Sequence, residues 1–223
     1  LLSDGSQWGC SITYAVQDQP NGIAESFIIG EDFIGSDNVV LILGDNIFYF
    51  PSLKRVIENN IQATGASIFA YHVSDPSRYG VVEFTSTNEI LSIEEKPKLP
   101  KSNYAIPGFY FFDNHVIQYA KELTPSARGE LEITDIISKY YALHLLNVIK
   151  MDRGTAWLDT GTVSSLMEAS HFVQVLEKRQ GLKVGCVEEQ AYLSQYIDKI
   201  QLEKLANQFN NSYGKYLSSL LDE

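Results

Sequence analysis

VVLILGDNIFYF, residues 39–50, runs from five consecutive apolar residues straight into Gly44, Asp45 and Asn46. A short apolar run closed by turn residues reads as a strand buried on both faces. It ends by presenting a carboxylate that has no basic neighbour in sequence. In open α/β sheets, ligands gather beyond the carboxyl ends of the strands. Glycine allows close backbone approach there, and an acid suits Mg²⁺, which takes one or two protein carboxylates and completes its shell with water and substrate phosphates. Asp45 equally suits a turn residue capping the next segment, and this stretch alone leaves both readings open.

Outward from residue 39, the pattern alternates. Residues 12–17 read as a strand, the turn DQPNG follows at 18–22, and an apolar face on Ile23, Phe27, Ile28 and Ile34 predicts a helix. After 39–43 come a helix over 53–63 and a strand over 66–73. That alternation predicts an α/β fold, Rossmann-like, with a mostly parallel central sheet. RYGVVEF (78–84), TSTN and EILSIEEKP (89–97) then read as an inserted antiparallel hairpin. A further extended run occupies 103–112, helices are expected over 114–122 and 132–143, and a strand over 145–151. From Val163 the chain becomes helical. The expected division is a core over 1–180 and a C-terminal helical appendage over 181–223.

With 44% hydrophobic residues among 223, the chain can bury a substantial core. Its net charge of −11 and pI near 4.8 come with Lys and Arg spread singly. That argues against a nucleic acid polymer as partner, although a small phosphorylated ligand needs only a few local cations. Two cysteines, Cys10 and Cys186, form neither a disulfide framework nor a metal spacing and read as free thiols. No apolar run reaches the roughly 18 residues of a membrane helix, and residues 1–9 lack a secretory pattern. The expectation is a soluble cytoplasmic protein without a membrane partner.

Three more segments carry chemistry. AWLDTGT (156–162) places Asp159 before a turn in which Thr162 is a natural helix N-cap. Asp159 is either a second metal-binding acid or a turn residue. IEEKPKLPKS (93–102) brings Glu95 and Lys96 to a hairpin's end, as a hydroxyl acceptor and a phosphate-binding charge or as a solvated loop. SARGELEITD (126–135) offers Arg128, either for a phosphate or for pairing with Glu130 and Glu132. Gln17 is an amide able to read a base edge.

Together, YAVQDQPNGIAESFIIG, LGDNIFY, RYGVVEF, EEKP, KSNYAIPGFYFFD, PSARGELEITDI, RGTAWLDTGT and EKRQGLKV occur in one order and spacing. That series closely resembles the glucose-1-phosphate thymidylyltransferases, sugar nucleotidyltransferases that make dTDP-glucose and pyrophosphate from dTTP and glucose 1-phosphate. The resemblance implies the following assignments. Gln17 and Gly22 match residues on the thymine base, and Asp45 and Asp159 match the Mg²⁺ pair. Tyr79, Gly80, Glu95 and Ile106 match residues around the glucose ring, while Lys96 and Arg128 match cations on the sugar phosphate. It further implies a role in dTDP-sugar biosynthesis, on the dTDP-rhamnose pathway, and a homotetramer. Family members also carry a G-G-x-G-T-R loop and a lysine on the nucleotide phosphates, and neither stretch occurs here. The expectation is that these residues belong to a longer enzyme and are inactive alone. The other reading is an inactive sugar-phosphate-binding or assembly subunit. Pro51 and Pro107 stand where the family pattern has other residues.

Overall fold

A computed structural model of the chain describes residues 2–51 and 53–222. It comprises two compact units, residues 15–166 and residues 1–14 with 167–223. The boundary expected at 180/181 falls inside the second of these.

The larger unit contains strands β1 (Val39–Ile42), β2 (Asn46–Tyr49), β3 (Ala66–His72), β4 (Gly80–Phe84), β5 (Ile90–Glu95), β6 (Tyr104–Ile106), β7 (Phe109–Phe112), β8 (Leu146–Lys150) and β9 (Ala156–Asp159). Its helices are α1 (Glu25–Ile29), α2 (Glu31–Ile34), α3 (Leu53–Asn60), α4 (His115–Lys121) and α5 (Ile133–Ala142). The main sheet runs β1-β7-β3-β6-β4-β5, with β8 on the other side of β3, and β2 pairs with β9 as a separate ribbon.

This corrects the mostly parallel sheet expected from the sequence. Among the described pairings only β3–β8 is parallel, and the remainder are antiparallel. The reason lies in one insertion. β1 and β3 each pair antiparallel with β7, so they point the same way, as a strand–helix–strand unit should, but β7 fills the slot between them. The hairpin is found as expected, with Gly80 opposite Glu95 and Val82 opposite Ile93.

A second correction concerns residue 39 onward. β1 pairs with β7 alone, so it is half-buried and Ile42 is 54% exposed. The strands buried on both faces are β3 and β7. Side chains alternate across a strand, so Phe109 and Phe111 enter a cluster with Phe69, Phe48 and the α3 residues Val56 and Ile57. Tyr110 and Phe112 enter the opposite and larger cluster with Phe27, Val116, Ile136 and Tyr140. α5 presents Ile133, Ile136, Ile137 and Tyr140 to that core, at the helical spacing of i, i+3, i+4 and i+7. Each such side chain contributes about 1.5–3 kcal/mol on burial.

Residues 12–17 form neither helix nor strand, and Tyr14 and Val16 are exposed. The apolar alternation there lacks a neighbouring ladder in the described structure. The helix expected over 23–34 is two short helices, interrupted at Gly30.

β6 and β7 lie along one edge of β3, interrupted by Pro107 and Gly108. Before the interruption the strand pairs outward with β4, and after it with β1. The sheet therefore forks at Pro107–Gly108.

In the smaller unit, helices α7 (Val187–Leu193), α8 (Lys199–Ala206) and α9 (Ser212–Ser219) follow α6 (Val163–Gln180), which begins in the larger unit. Trp8, Leu202, Leu205 and Leu217 form its core. Asp198 caps α8 by accepting from Gln201 N–H at 2.8 Å, and Asn211 caps α9. Both cysteines are free, Cys10 exposed and Cys186 buried. No helix among the described residues is long and apolar enough to cross a membrane.

Candidate active site

A cavity of about 270 Å³ opens at the fork of the sheet, just below the roughly 300–1,000 Å³ typical of small-molecule clefts. Its walls come from the end of β1, the β4–β5 hairpin, the Pro107–Gly108 interruption, the start of α5 and β9. Of the residues singled out from sequence, Asp45, Tyr79, Gly80, Glu95, Lys96, Ile106 and Asp159 all line it. Gln17, Gly22 and Arg128 do not.

The two acids converge. Antiparallel pairing of β2 with β9 sets Asn46 opposite Asp159, which brings Asp45 beside the turn that follows β9. Thr160 N–H and Oγ1 donate to the Asp45 backbone carbonyl at 2.8 and 3.0 Å. An ideal Cβ on Gly161 would stand 3.5 Å from Asp45 Oδ2 and 3.5 Å from Asp159 Oδ1. Asp45 Oδ1 accepts from Asn46 Nδ2 at 2.7 Å. Asp159 accepts from Tyr79 Oη, from Gly161 N–H at 3.1 Å and from Ser165 Oγ at 3.2 Å, with Arg78 3.6 Å away. Thr162 caps α6 as its position suggests, accepting from Ser165 N–H at 3.1 Å.

These contacts set the charge state of Asp159. Burial pushes its carboxyl up, but the donors from Tyr79 and Gly161, with Arg78 and Ser165, outweigh that and hold it below the ordinary carboxylate range. Burial and the hydrogen bond to Asp159 push the Tyr79 phenol up to about 12. The donor set fits Mg²⁺: two carboxyl side chains each bring an oxygen within 3.5 Å of one point, the place of an ideal Cβ on Gly161, and the cation takes its remaining ligands from water and phosphates. Among the described residues no group of three or more ligating side chains forms a complete metal cage.

Glu95 and Lys96 also line the cavity. Gly80 leaves this part of the cavity open, since a Cβ there would meet Thr134 Cγ2 at 2.9 Å and both Glu95 Oε2 and Ile106 Cδ1 at 3.5 Å. Burial, and then the charge of Glu132, raise the Glu95 carboxyl, while Lys96, Thr134 and Arg128 pull the other way. Lys96 Nζ lies 3.8 Å from Glu95 Oε1. Its backbone sits at φ 40°, a left-handed conformation rare for a lysine, tied by its N–H to Tyr79 O at 3.0 Å.

Arg128 is held by three acids: Glu130 at 2.5 Å, Glu132 at 3.2 Å and Glu95 at 4.0 Å. Pairing with Glu130 and Glu132 is thus what the structure displays, and the contact to Glu95 links that cluster to the cavity wall. Gln17 and Gly22 adjoin one another, Gln17 Nε2 donating to Gly22 O at 3.0 Å and to Glu25 at 2.6 Å. Gly22 has φ 104° and packs so closely on Leu131 that a Cβ would stand 2.4 Å from its carbonyl oxygen. The next residue, Ile23, lines the cavity.

Sequence reasoning missed Asn46, Arg78, Thr134 and Trp157, which also line the cavity. Three of the four were accessible by position: Asn46 follows Asp45, Arg78 precedes Tyr79, and Trp157 shares a strand face with Asp159 at a spacing of two.

A family model described as nucleotidyl transferase matches residues 1–175. A glucose-1-phosphate thymidylyltransferase of Mycolicibacterium smegmatis is 52% identical over 223 residues, covering 100% of this chain and 77% of the relative. One from Neisseria meningitidis is 51% identical, with coverages of 99% and 77%. A solved Bacillus anthracis chain assigned to the same activity matches with a TM-score of 0.69 and 46% identity, covering 77% of this chain and 68% of that one. A UDP-glucose pyrophosphorylase structure, at 23% identity and a TM-score of 0.65, shares the fold and covers 73% of this chain and 66% of its own. The chain belongs to the nucleotidyl transferase family, among its glucose-1-phosphate thymidylyltransferases.

Proposed function

We propose that this cavity joins dTTP to glucose 1-phosphate, releasing dTDP-glucose and pyrophosphate. The observation that carries the reading is the meeting of Asp45 and Asp159 beside a wall bearing Glu95 and Lys96. In this reaction an oxygen of the sugar phosphate bonds to the α-phosphorus of dTTP, and the bond from that phosphorus to the bridging oxygen of pyrophosphate breaks. The attacking oxygen is already anionic, so no residue need remove a proton. Positioning and charge neutralisation supply most of the catalysis in phosphoryl chemistry.

The chain's residues divide that work. Glu95 accepts hydroxyls of the glucose ring, Gly80 and Ile106 shape the space it enters, and Tyr79 packs beside it. Lys96 meets the sugar phosphate as a point charge, and Arg128, drawn towards Glu95, Glu130 and Glu132, reinforces it from behind that wall. Gln17 and Gly22 hold the thymine. Mg²⁺ bound by Asp45 and Asp159 would supply charge neutralisation on the reacting phosphates. The same reading extends to a cytoplasmic homotetramer, which light scattering on the eluted protein tests.

The experiment is pyrophosphate release from dTTP and glucose 1-phosphate, with UTP as the competing nucleotide. Turnover that needs a divalent cation and falls with Asp45→Asn or Asp159→Asn supports the reading. A protein that turns over equally well with either acid replaced would sink it.

A further inference from the structure

Asp45 lies in the turn between β1 and β2 and Asp159 ends β9, yet one chain of contacts joins their carboxylates. Asn46 Oδ1 accepts twice, from Gly108 N–H at 3.1 Å and from Trp157 Nε1–H at 2.7 Å. An amide oxygen offers two lone pairs, so both are used. Rotating the amide would set its NH₂ against those same two donors. The orientation is therefore fixed, and Nδ2 faces Asp45 Oδ1 at 2.7 Å. On the other side, Trp157 and Tyr79 pack edge to face with ring centroids 4.9 Å apart, and Tyr79 Oη donates to Asp159 Oδ2. Trp157 itself is buried. The ribbon register explains the meeting: Asn46 lies opposite Asp159, so Trp157, two residues earlier, is its diagonal neighbour.

We propose that Asn46 and Trp157 are positioning residues that set the gap between the Asp45 and Asp159 carboxylates. The indole N–H orients one acid through Asn46, and the indole ring seats the other through Tyr79. Neither residue needs to touch a cation to determine how well the acids hold one. Groups that orient metal ligands in this way typically govern affinity by about 10–100-fold. The inference rests on the metal-pair reading of the two acids.

The test measures binding of Mn²⁺ by the whole chain, from the electron paramagnetic resonance signal of the free ion, alongside thermal melting. Asn46→Ala is expected to weaken Mn²⁺ binding about 10-fold. Trp157→Phe, which keeps a ring against Tyr79 but removes the indole donor, should weaken it less. A purely structural role would lower the melting temperature and leave the Mn²⁺ affinity of the folded fraction intact. Folded Asn46→Ala with the parent's affinity overturns the inference. Should Asn46→Ala not fold, Trp157→Phe decides, and unchanged affinity there overturns it equally. A parent that binds no Mn²⁺, or an Asp45→Asn variant that binds as well as the parent, overturns the metal-pair reading and the inference with it.

Discussion

Asp45 and Asp159 face a single point, which lies 3.5 Å from Asp45 Oδ2 and 3.5 Å from Asp159 Oδ1 and is where a methyl group on Gly161 would stand. Those contacts are ordinary van der Waals distances, and Gly161 has no left-handed backbone requirement. Gly161→Ala should therefore fold normally, changing stability by no more than about 0.5 kcal/mol. The methyl would nonetheless occupy the space between the acids. Nucleotidyl transfer is expected to drop about 100-fold, the scale of a 1 Å misplacement at a reacting centre. Pyrophosphate release and thermal melting, measured on the same sample, check both halves.

Lys96 combines a strained backbone with a charge in the cavity. Asparagine tolerates φ values near 40° better than lysine does. Lys96→Asn should leave stability unchanged or raise it by up to about 1 kcal/mol. With Lys96 proposed as the cation on the sugar phosphate, the apparent KM for glucose 1-phosphate should rise when it is replaced. Urea unfolding and steady-state kinetics read the two effects separately, and an unaltered KM would remove Lys96 from the phosphate site.

Glu95 makes stability depend on pH in a definite direction. Its carboxyl is raised above 4.5 by burial and by Glu132, against the pull of Lys96, Thr134 and Arg128. The native state thus holds this proton more tightly than the unfolded chain does. Unfolding free energy accordingly loses ground as pH rises from the unfolded value through the raised native one. Glu95→Gln lacks that slope. The melting temperature of the variant minus that of the parent should increase as pH climbs above 4.5. A difference that stays flat or falls across that window contradicts the assignment.

Asp113 is a buried carboxylate away from the cavity. It accepts from Gly65 N–H at 2.7 Å, from Tyr140 Oη at 2.6 Å and from His115 N–H at 3.2 Å. Asp113→Ala strands the first two donors in the core. Each unsatisfied group costs about 1–3 kcal/mol, so the variant should lose several-fold more stability than an exposed Asp→Ala, such as Asp152→Ala. Denaturant titration distinguishes them.

Much of this was legible in the sequence, for local reasons. The hairpin over β4 and β5 announced itself through two short β-rich runs around a polar turn. α5 was visible because its four core residues recur at helical spacing. The acids stood out because each ends an apolar segment at glycine or threonine turns. Strand neighbours were another matter. β7 lies about seventy residues from β1 in sequence, and nothing local records that it slides between β1 and β3. Residues 39–43 are as apolar as a fully buried strand, yet burial depends on what flanks them. Likewise, Asn46 and Trp157 acquire their role only through the β2–β9 register, while Arg128's bonds to Glu130 and Glu132 follow from sequence proximity.

The interruption at Pro107–Gly108 has an architectural consequence. Proline contributes no N–H there, and Gly108 sends its own to Asn46 while its carbonyl takes the N–H of Leu43 at 2.9 Å. The mouth between β4 and β1 is thus framed by main-chain ladders on both banks. Its aperture is a property of the backbone, whereas Ile106 and Thr134 reach the cavity only as side chains. Such a doorway can be re-furnished at Ile106 or Thr134 without moving its jambs.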